Sequence, residues 1–360
     1  MEPEKMESPS LRVPLASVLI AIFGLLAPSP AAAQAPSPYA VETNIHGVYG
    51  YAQPPPGFDP STASAEDLDV FGYPPRPAAN ASTADLARWK QQVNPGLIRV
   101  VPQLKATKIY HRPISGLTIR NSTDVGSYNW SGYALLQSSA RFKSATGSWI
   151  VPTVQQAFGT CSGADYAGEW VGIDGYSNVR LFQSGAETDA ACSGGVTTTE
   201  YYPWVEWLPG PEYELLASGG GALPFAPGDY IIVTVTATNW SGGKSSTGTL
   251  YYTDVTQNWG GPLSITASSL GGTFVVGNSA EWIVEAPEVG GNIATLANYI
   301  ADAWFETFAQ DNLGDTDYPG LPNATTPKNI TMVDSGLNPI SHVKLTGAQR
   351  LWFFDENSAF

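Results

Sequence analysis

Residues 278–287, NSAEWIVEAP, alternate between two sets of side chains at every second position. Successive side chains of a β-strand point to opposite faces, so this stretch predicts a strand on which Glu281, Ile283 and Glu285 share one face. Charged residues are rare inside a core, and a face that only meets solvent has no need of Ile283. The mixture therefore raises the question of whether Glu281 or Glu285 has a chemical function.

The same alternation recurs in residues 228–239 and 244–256, and turns rich in Gly and Pro separate such stretches. Few long stretches repeat apolar residues at helical spacing. The sequence therefore predicts an all-β protein, folded as an antiparallel β-sandwich or barrel. Residues 82–93 are expected to form a short helix with a Ser or Thr cap, while residues 296–310 fit either a strand or a helix.

The first residues predict export from the cell. Arg12 precedes an apolar run, residues 13–27, and a stretch of small residues, 31–35, follows it. This is the pattern of a signal peptide, here residues 1–34, and it predicts a secreted protein with no membrane attachment after cleavage. An uncleaved anchor is the alternative, although the run is shorter than the roughly 20 residues of a membrane span.

Charge divides the rest of the chain into two parts. Residues 36–64 are Pro-rich and are predicted to be extended or disordered. Between positions 87 and 120 the chain has basic residues and no acidic ones: Arg88, Lys90, Arg99, Lys105, Lys108, Arg112 and Arg120. Residues 121–360, in contrast, hold 7 Lys and Arg against 23 Asp and Glu.

Opposite charges on the two parts predict a propeptide, residues 35–120, that covers and inhibits a catalytic domain, residues 121–360. A linker with solvated lysines is the alternative. Because the chain as a whole is acidic, binding to nucleic acid is not expected.

Few groups in the acidic part can carry nucleophilic catalysis. His46 and His111 lie in the predicted propeptide, which leaves His342, and a lone His is more often structural. The chain has no G-x-S-x-G motif and no pair of D-T-G or D-S-G motifs. Cys161 and Cys192 are expected to form a disulfide after export, and with three histidines they are too few for a usual zinc site. Neither a metal nor a cofactor is expected.

Carboxylates, amides and aromatic rings remain as candidates. Residues 169–177, 181–187 and 201–213 are three strand-like stretches that concentrate them. The polar and aromatic members that stand out are Trp170, Asp174, Gln183, Glu187, Trp204 and Glu206. Core packing or sugar stacking would also explain the tryptophans, and a solvated sheet edge would also explain the acids.

Seven ordered stretches carry a closer resemblance: NWSGYAL (129–135), ATGSWIVPTV (145–154), EWVGIDGYS (169–177), LFQSGAE (181–187), YYPWVEWLP (201–209), PGDYIIVTVTATN (227–239) and SAEWIVEAP (279–287). They resemble the eqolisin, or glutamic peptidase, family of acid endopeptidases. The resemblance implies a β-sandwich of two long, curled antiparallel sheets. Its catalytic Gln and Glu fall on Gln183 and Glu285, with Glu281 as the second choice. The family's site-lining residues correspond to Trp170, Asp174, Glu187, Trp204 and Glu206.

The expected function is hydrolysis of polypeptides in acid by a monomeric, secreted enzyme. Glu285 would activate a water molecule and later protonate the leaving amine, while Gln183 would stabilise the oxyanion. One alternative is a glycoside hydrolase, which needs two carboxylates about 5–10 Å apart, such as Glu206 and Glu285. Another is a non-catalytic carbohydrate-binding β-sandwich in which Trp170, Trp204 and Trp207 stack on sugar rings.

Overall fold

A computed structural model of the chain describes residues 37–79, 81–113, 118–119, 124–157, 161–323 and 325–356. The predicted signal peptide, residues 1–34, lies outside the described residues. All of these described residues belong to one compact unit. Among the described residues, no helix has both the length and the apolar character needed to cross a membrane.

Strands dominate the secondary structure of the described residues. The helices are α1 (Ala65–Val70), α2 (Thr83–Gln92) and a 3-10 helix (Ala267–Leu270). The first thirteen strands in chain order are β1 (Ala40–Glu42), β2 (Val48–Tyr51), β3 (Ile98–Arg99), β4 (Gln103–Ala106), β5 (Ile109–Tyr110), β6 (Thr118–Ile119), β7 (Asp124–Ser127), β8 (Trp130–Leu136), β9 (Phe142–Ile150), β10 (Gly163–Asp165), β11 (Gly168–Ile173), β12 (Phe182–Ser193) and β13 (Val196–Trp207).

The remaining strands complete the domain. They are β14 (Tyr213–Leu216), β15 (Tyr230–Thr238), β16 (Thr247–Asp254), β17 (Trp259–Thr266), β18 (Ser279–Glu285), β19 (Glu288–Val289), β20 (Asn292–Ile293), β21 (Ala301–Asp311), β22 (Thr316–Asp317), β23 (Thr326–Val333), β24 (Pro339–Thr346) and β25 (Arg350–Asp355).

Two large layers of these strands form a sandwich. The first has the order β4-β14-β13-β12-β11-β18-β8-β23, and every neighbouring pair in it is antiparallel. The second has the order β2-β17-β16-β15-β9-β21-β25, again antiparallel. Strand β11 packs against β9 and β15, and β12 packs against β15. Strand β24 joins β23 to β25 and links the layers on one side. The prediction of an antiparallel β-sandwich is confirmed.

The core between the layers follows the alternation seen in the sequence. In β15, Val233 and Val235 are buried while Thr234 and Thr236 are only half-buried. Residues 296–310, which fit a strand or a helix, contribute most of β21, which pairs with β9 and β25 on its two sides. The predicted helix is also confirmed as α2, and the Ser82 hydroxyl caps it by accepting a hydrogen bond from the Asp85 amide at 3.1 Å.

A disulfide joins Cys161 to Cys192, as predicted. Cys192 lies in β12, and the pairing of β10 with β12 brings Cys161 close to it. Their Cα atoms are 5.0 Å apart.

Residues 37–113, which we call the leading segment, extend both layers. Strand β2 pairs with β17 at the edge of the second layer, and β4 pairs with β14 at the edge of the first. The Pro-rich stretch 36–64 therefore includes two strands, β1 and β2. Apolar residues of the segment pack together beside Tyr251 of β16: Leu68, Phe71, Tyr73, Trp89 and Val93. The leading segment is thus an integral part of the folded unit.

Candidate active site

The site lies on the first layer, where β11 runs between β12 and β18. Gly168 of β11 pairs with Glu187 on one side and with Glu285 on the other. A Cβ atom on Gly168 would lie 2.5 Å from Cε1 of His111, closer than real contacts allow. The absence of a side chain at this position therefore makes room for an imidazole ring directly above the strand.

His111, from the leading segment, occupies that space and is fully buried. Its ring stacks on Trp204, with the ring centres 4.0 Å apart and the planes at 4°. Nε2 of His111 lies 2.8 Å from Oε2 of Glu212 and 3.2 Å from Oε2 of Glu187. Nδ1 lies 3.4 Å from Oε2 of Glu285. Three buried carboxyl groups therefore surround one imidazole.

The backbone of His111 contacts a second set of groups. Its amide donates a hydrogen bond to Oε2 of Glu206 at 3.0 Å. Nε2 of Gln183 donates to the His111 carbonyl oxygen and, at 2.6 Å, to Oε2 of Glu206. The Gln183 amide thus points at a peptide carbonyl of the chain itself.

Two donors hold the carboxylate of Glu285. Nδ2 of Asn129 donates to its Oε1 at 2.8 Å, and Nε1 of Trp170 donates to its Oε2 at 2.8 Å. Burial raises the pKa of Glu285, while His111 and the indole of Trp170 oppose that rise. Hydrogen bonds to the charged form favour ionisation, so these donors help a buried carboxyl to act as a base.

The neighbouring groups titrate far from their usual ranges. Burial raises the pKa of Glu187 to about 7, although His111 opposes the rise. Burial also raises the pKa of Glu206 well above its ordinary value, again against the effect of His111. Burial alone would lower the pKa of His111, but Glu187, Glu212 and Glu285 raise it well above its ordinary value. The surrounding carboxyl groups therefore favour the protonated imidazolium form of His111, while burial favours the protonated forms of Glu187 and Glu206.

The same group of side chains has ligand atoms suitable for a metal ion. One such atom from each of His111, Glu187 and Glu212 lies within 4.8 Å of the other two. The 2.8 Å contact between His111 and Glu212 is shorter than the roughly 3.3 Å expected between two ligands about 2.0 Å from a tetrahedral zinc ion. A hydrogen bond therefore fits this contact better than shared coordination.

The structure brings together most of the site residues predicted from the sequence. Around His111 lie Trp170, Gln183, Glu187, Trp204, Glu206 and Glu285. Asp174 is not among them, because its carboxylate accepts hydrogen bonds from the backbone amides of residues 276–278. Glu281 is not among them either, and accepts from the Tyr176 amide at 3.2 Å. Trp207 stacks on Phe182 in the core.

Four contributors were missed by reasoning from the sequence. The charge pattern places His111 in the predicted propeptide, and no pattern in residues 201–213 distinguishes Glu212. Asn129 was noticed only as part of a motif, and Gly168 was not noticed at all. The signal for His111 was its position near the end of the basic run. His342, in contrast, pairs with Glu356 and stacks on Phe354, consistent with the structural role expected for it.

Three basic residues of the leading segment form ion pairs with the acidic part. Nη1 of Arg88 lies 3.5 Å from Oε2 of Glu306. Nζ of Lys105 lies 2.9 Å from Oε2 of Glu214. Nε of Arg112 donates to Oε2 of Glu288 at 2.9 Å. Because Lys105 is largely exposed, its ion pair contributes little to the attachment of the leading segment to the acidic part. The buried contacts of His111 contribute more to that attachment.

Comparisons with known proteins give one family. The model of the peptidase A4 family matches residues 128–348. A search of curated proteins found no match.

Among solved structures, scytalido-glutamic peptidase with a transition state analog inhibitor is similar at a TM-score of 0.49 and 19% identity, over 63% of this chain and 98% of that one. SCP-B, an eqolisin in complex with the tripeptide Ala-Ile-His, is similar at a TM-score of 0.46 and 19% identity, over 63% of this chain and 98% of that one. Aspergilloglutamic peptidase from Aspergillus niger is similar at a TM-score of 0.42 and 23% identity, over 53% of this chain and 99% of that one.

Proposed function

The chain belongs to the peptidase A4 family, the eqolisins, and from that premise we propose that it is a secreted endopeptidase that cuts polypeptides in acid with Gln183 and Glu285. In this proposal the enzyme works as a monomer, needs no metal or cofactor, and is exported by its signal peptide. Residues of the leading segment inhibit it until they are removed.

In the proposed reaction, ionised Glu285 takes a proton from a water molecule as the water attacks the scissile carbonyl carbon. The Nε2 group of Gln183 donates a hydrogen bond to the oxyanion that forms. One such donor typically lowers the barrier by about 3–4 kcal/mol. Glu285, now protonated, then passes its proton to the leaving nitrogen, and the peptide bond breaks.

One observation carries this assignment. Nε2 of Gln183 donates a hydrogen bond to the backbone carbonyl of His111. Nδ1 of His111 lies 3.4 Å from Oε2 of Glu285. An oxyanion donor and a candidate base therefore converge on one residue of an extended polypeptide. A peptidase needs a donor for the oxyanion and a base at one residue of a polypeptide, and a glycosidase has no need of this arrangement.

The chemistry of these groups suits acidic conditions. The amide of Gln183 does not titrate, so acid leaves its donor intact. Glu187 and Glu206, whose pKa values are raised, are protonated in acid and add no repulsion to the cluster. Glu285 keeps two donors, Asn129 and Trp170, that favour its ionised form.

The two carbohydrate alternatives receive no support from a specific contact. Trp170, Trp204 and Trp207 are all fully buried, so none offers a free face to a sugar ring in this structure. Glu206 contacts Gln183 and a backbone amide, as a residue that positions a polypeptide would.

The test is hydrolysis of an unfolded protein by the purified, acid-treated chain at about pH 4, close to the pKa of a model carboxyl group. Glu285→Gln should reduce activity by about 10²–10⁴-fold, the usual contribution of a general acid–base group. Glu281→Gln is the matched control on the same strand. Burial raises the pKa of Glu281 well above its ordinary value, so that side chain is already neutral and Gln should replace it without loss.

Pepstatin and a chelator should leave the wild-type activity unchanged. Loss of activity in Glu281→Gln with retention in Glu285→Gln would reassign the base. An inactive wild-type chain with its leading segment shown to be removed would contradict the proposal and redirect attention to glycan substrates.

A further inference from the structure

The end of the leading segment approaches the site as an added strand. Strand β4 pairs antiparallel with β14, and the Thr107 amide donates to the carbonyl of Glu212 at 3.0 Å. The Glu212 amide in turn donates to the carbonyl of Ile109 at 3.2 Å, and β5 pairs with β19. Extended peptides commonly bind proteins by adding a strand to a sheet edge in this way. The segment therefore enters the site as a bound peptide would.

This strand brings one particular peptide bond to the dyad. On its amino side, the His111 carbonyl accepts a hydrogen bond from Gln183. On its other side, the Arg112 carbonyl accepts one at 2.9 Å from Nδ2 of Asn129, and the same Nδ2 donates to Oε1 of Glu285 at 2.8 Å. The bond between His111 and Arg112 thus lies between contacts made by the proposed oxyanion donor and by the partner of the proposed base.

Side chains fix the residues on both sides of that bond. The His111 ring is held by stacking on Trp204 and by its contacts to Glu187 and Glu212. Arg112 is held through its ion pair with Glu288. Holding a reacting group in place converts its reaction into a unimolecular one and accelerates it strongly.

We propose that the peptide bond between His111 and Arg112 is the chain's own first substrate, cut within the same molecule by Gln183 and Glu285. This inference rests on the proposed function. Water supplies the oxygen that bonds to the His111 carbonyl carbon, and one of its protons passes through Glu285 to the Arg112 nitrogen. The carbon–nitrogen bond breaks, leaving a carboxyl group on His111 and a new amino terminus on Arg112. The mature enzyme then begins at residue 112 rather than at residue 121.

The test uses the precursor, which is purified near neutral pH and then shifted to about pH 4, close to the pKa of a model carboxyl group. Intact-mass measurement and amino-terminal sequencing over time identify the first cut. We expect a fragment that ends at His111 and a partner that begins at Arg112, formed with a rate constant that does not change with protein concentration.

Activity on an unfolded protein, measured in the same samples, separates the two proposals. If the chain becomes active but its first cut lies at another bond, the inference is wrong and the proposed function stands. A rate constant that rises in proportion to protein concentration would overturn the intramolecular step. If neither cleavage nor activity develops, the proposed function fails and the inference fails with it.

Two variants sharpen the result. Glu285→Gln should stay uncut in acid, and cleavage at the wild-type rate would overturn the inference. His111→Ala should slow the cut after residue 111 by about tenfold or more, because a hydrogen bond to a charged group is lost. His46→Ala is the matched control, since His46 is exposed and pairs only with Glu42 among the described residues. Equal slowing in both variants would contradict a role for the buried ring.

Discussion

The hydrogen bond from Trp170 to Glu285 should set how far into acid the enzyme remains active. Nε1 of Trp170 lies 2.8 Å from Oε2 of Glu285, and both side chains are fully buried. This donor stabilises the ionised carboxylate and opposes the effect of burial on its pKa. The variant Trp170→Phe removes the donor and keeps an aromatic ring in the same space.

The size of the effect follows from the bond that is lost. A hydrogen bond to a charged group contributes about 1.5–3 kcal/mol. Since one pKa unit corresponds to about 1.36 kcal/mol, the pKa of Glu285 should rise by about 1–2 units. The base must be ionised to work, so the acidic limb of the kcat/KM profile should move to higher pH by the same amount.

The assay is kcat/KM against pH for a soluble peptide substrate, with enzyme freed of its leading segment. Trp207→Phe is the matched control, because Trp207 is also fully buried but its Nε1 has no hydrogen-bond partner in the described part of the chain. That variant should lose stability without moving the limb. An unmoved limb in Trp170→Phe, or an equal movement in both variants, would refute the assignment of Glu285 as the base.

Two other expectations follow from the buried acids and the pocket. Burial raises the pKa of Glu187 to about 7 and that of Asp302 to about 8, so both are protonated in the folded state and ionise near pH ~4 when unfolded. The free energy of unfolding should therefore be highest below about pH 4 and should fall as the pH rises from about 4 to about 7–8. Urea unfolding measured between these pH values would contradict the structure if the free energy of unfolding rose instead. The pocket around the His111 ring further predicts that the enzyme cuts external proteins after His more often than the His content of those proteins would give by chance. Mass spectrometry of the digest products measures this frequency. Products without enrichment of His before the cut would show that the pocket does not select this side chain.

Much of the fold was predictable because the relevant forces are local. The alternation in β15 reports a strand with one face in the core, and the burial of Val233 and Val235 follows it. The alternation in residues 278–287 similarly placed Glu281 and Glu285 on one strand, β18. It could not say which of the two matters, because that depends on the neighbouring strands. Both face a glycine of β11. The space above Gly168, opposite Glu285, holds the His111 ring, whereas the Leu181 side chain fills the space above Gly172, opposite Glu281.

Other features of the site depend on contacts that no local pattern contains. His111 precedes Gln183 by 72 residues and Glu206 by 95, so only the folded chain reveals that they meet. Asp174 illustrates a different limit. Strand β11 ends at Ile173, and Asp174 adopts a φ of 66°, so the two-residue alternation no longer applies to it. Its carboxylate turns instead to the amides of residues 276–278.

The pairing of β2 with β17 and of β4 with β14 has a consequence for the proposed activation. Loss of residues 37–111 would leave the outer backbone groups of β14 and β17 without partners, since β2, β3 and β4 all belong to the departing part. Open strand edges of this kind are templates for pairing with other chains. Acid removes much of the repulsive negative charge that would otherwise keep molecules apart. In the proposed precursor, the leading segment would therefore cover these strand edges as well as occupy the site. Its removal in the proposed activation would expose the edges to self-association.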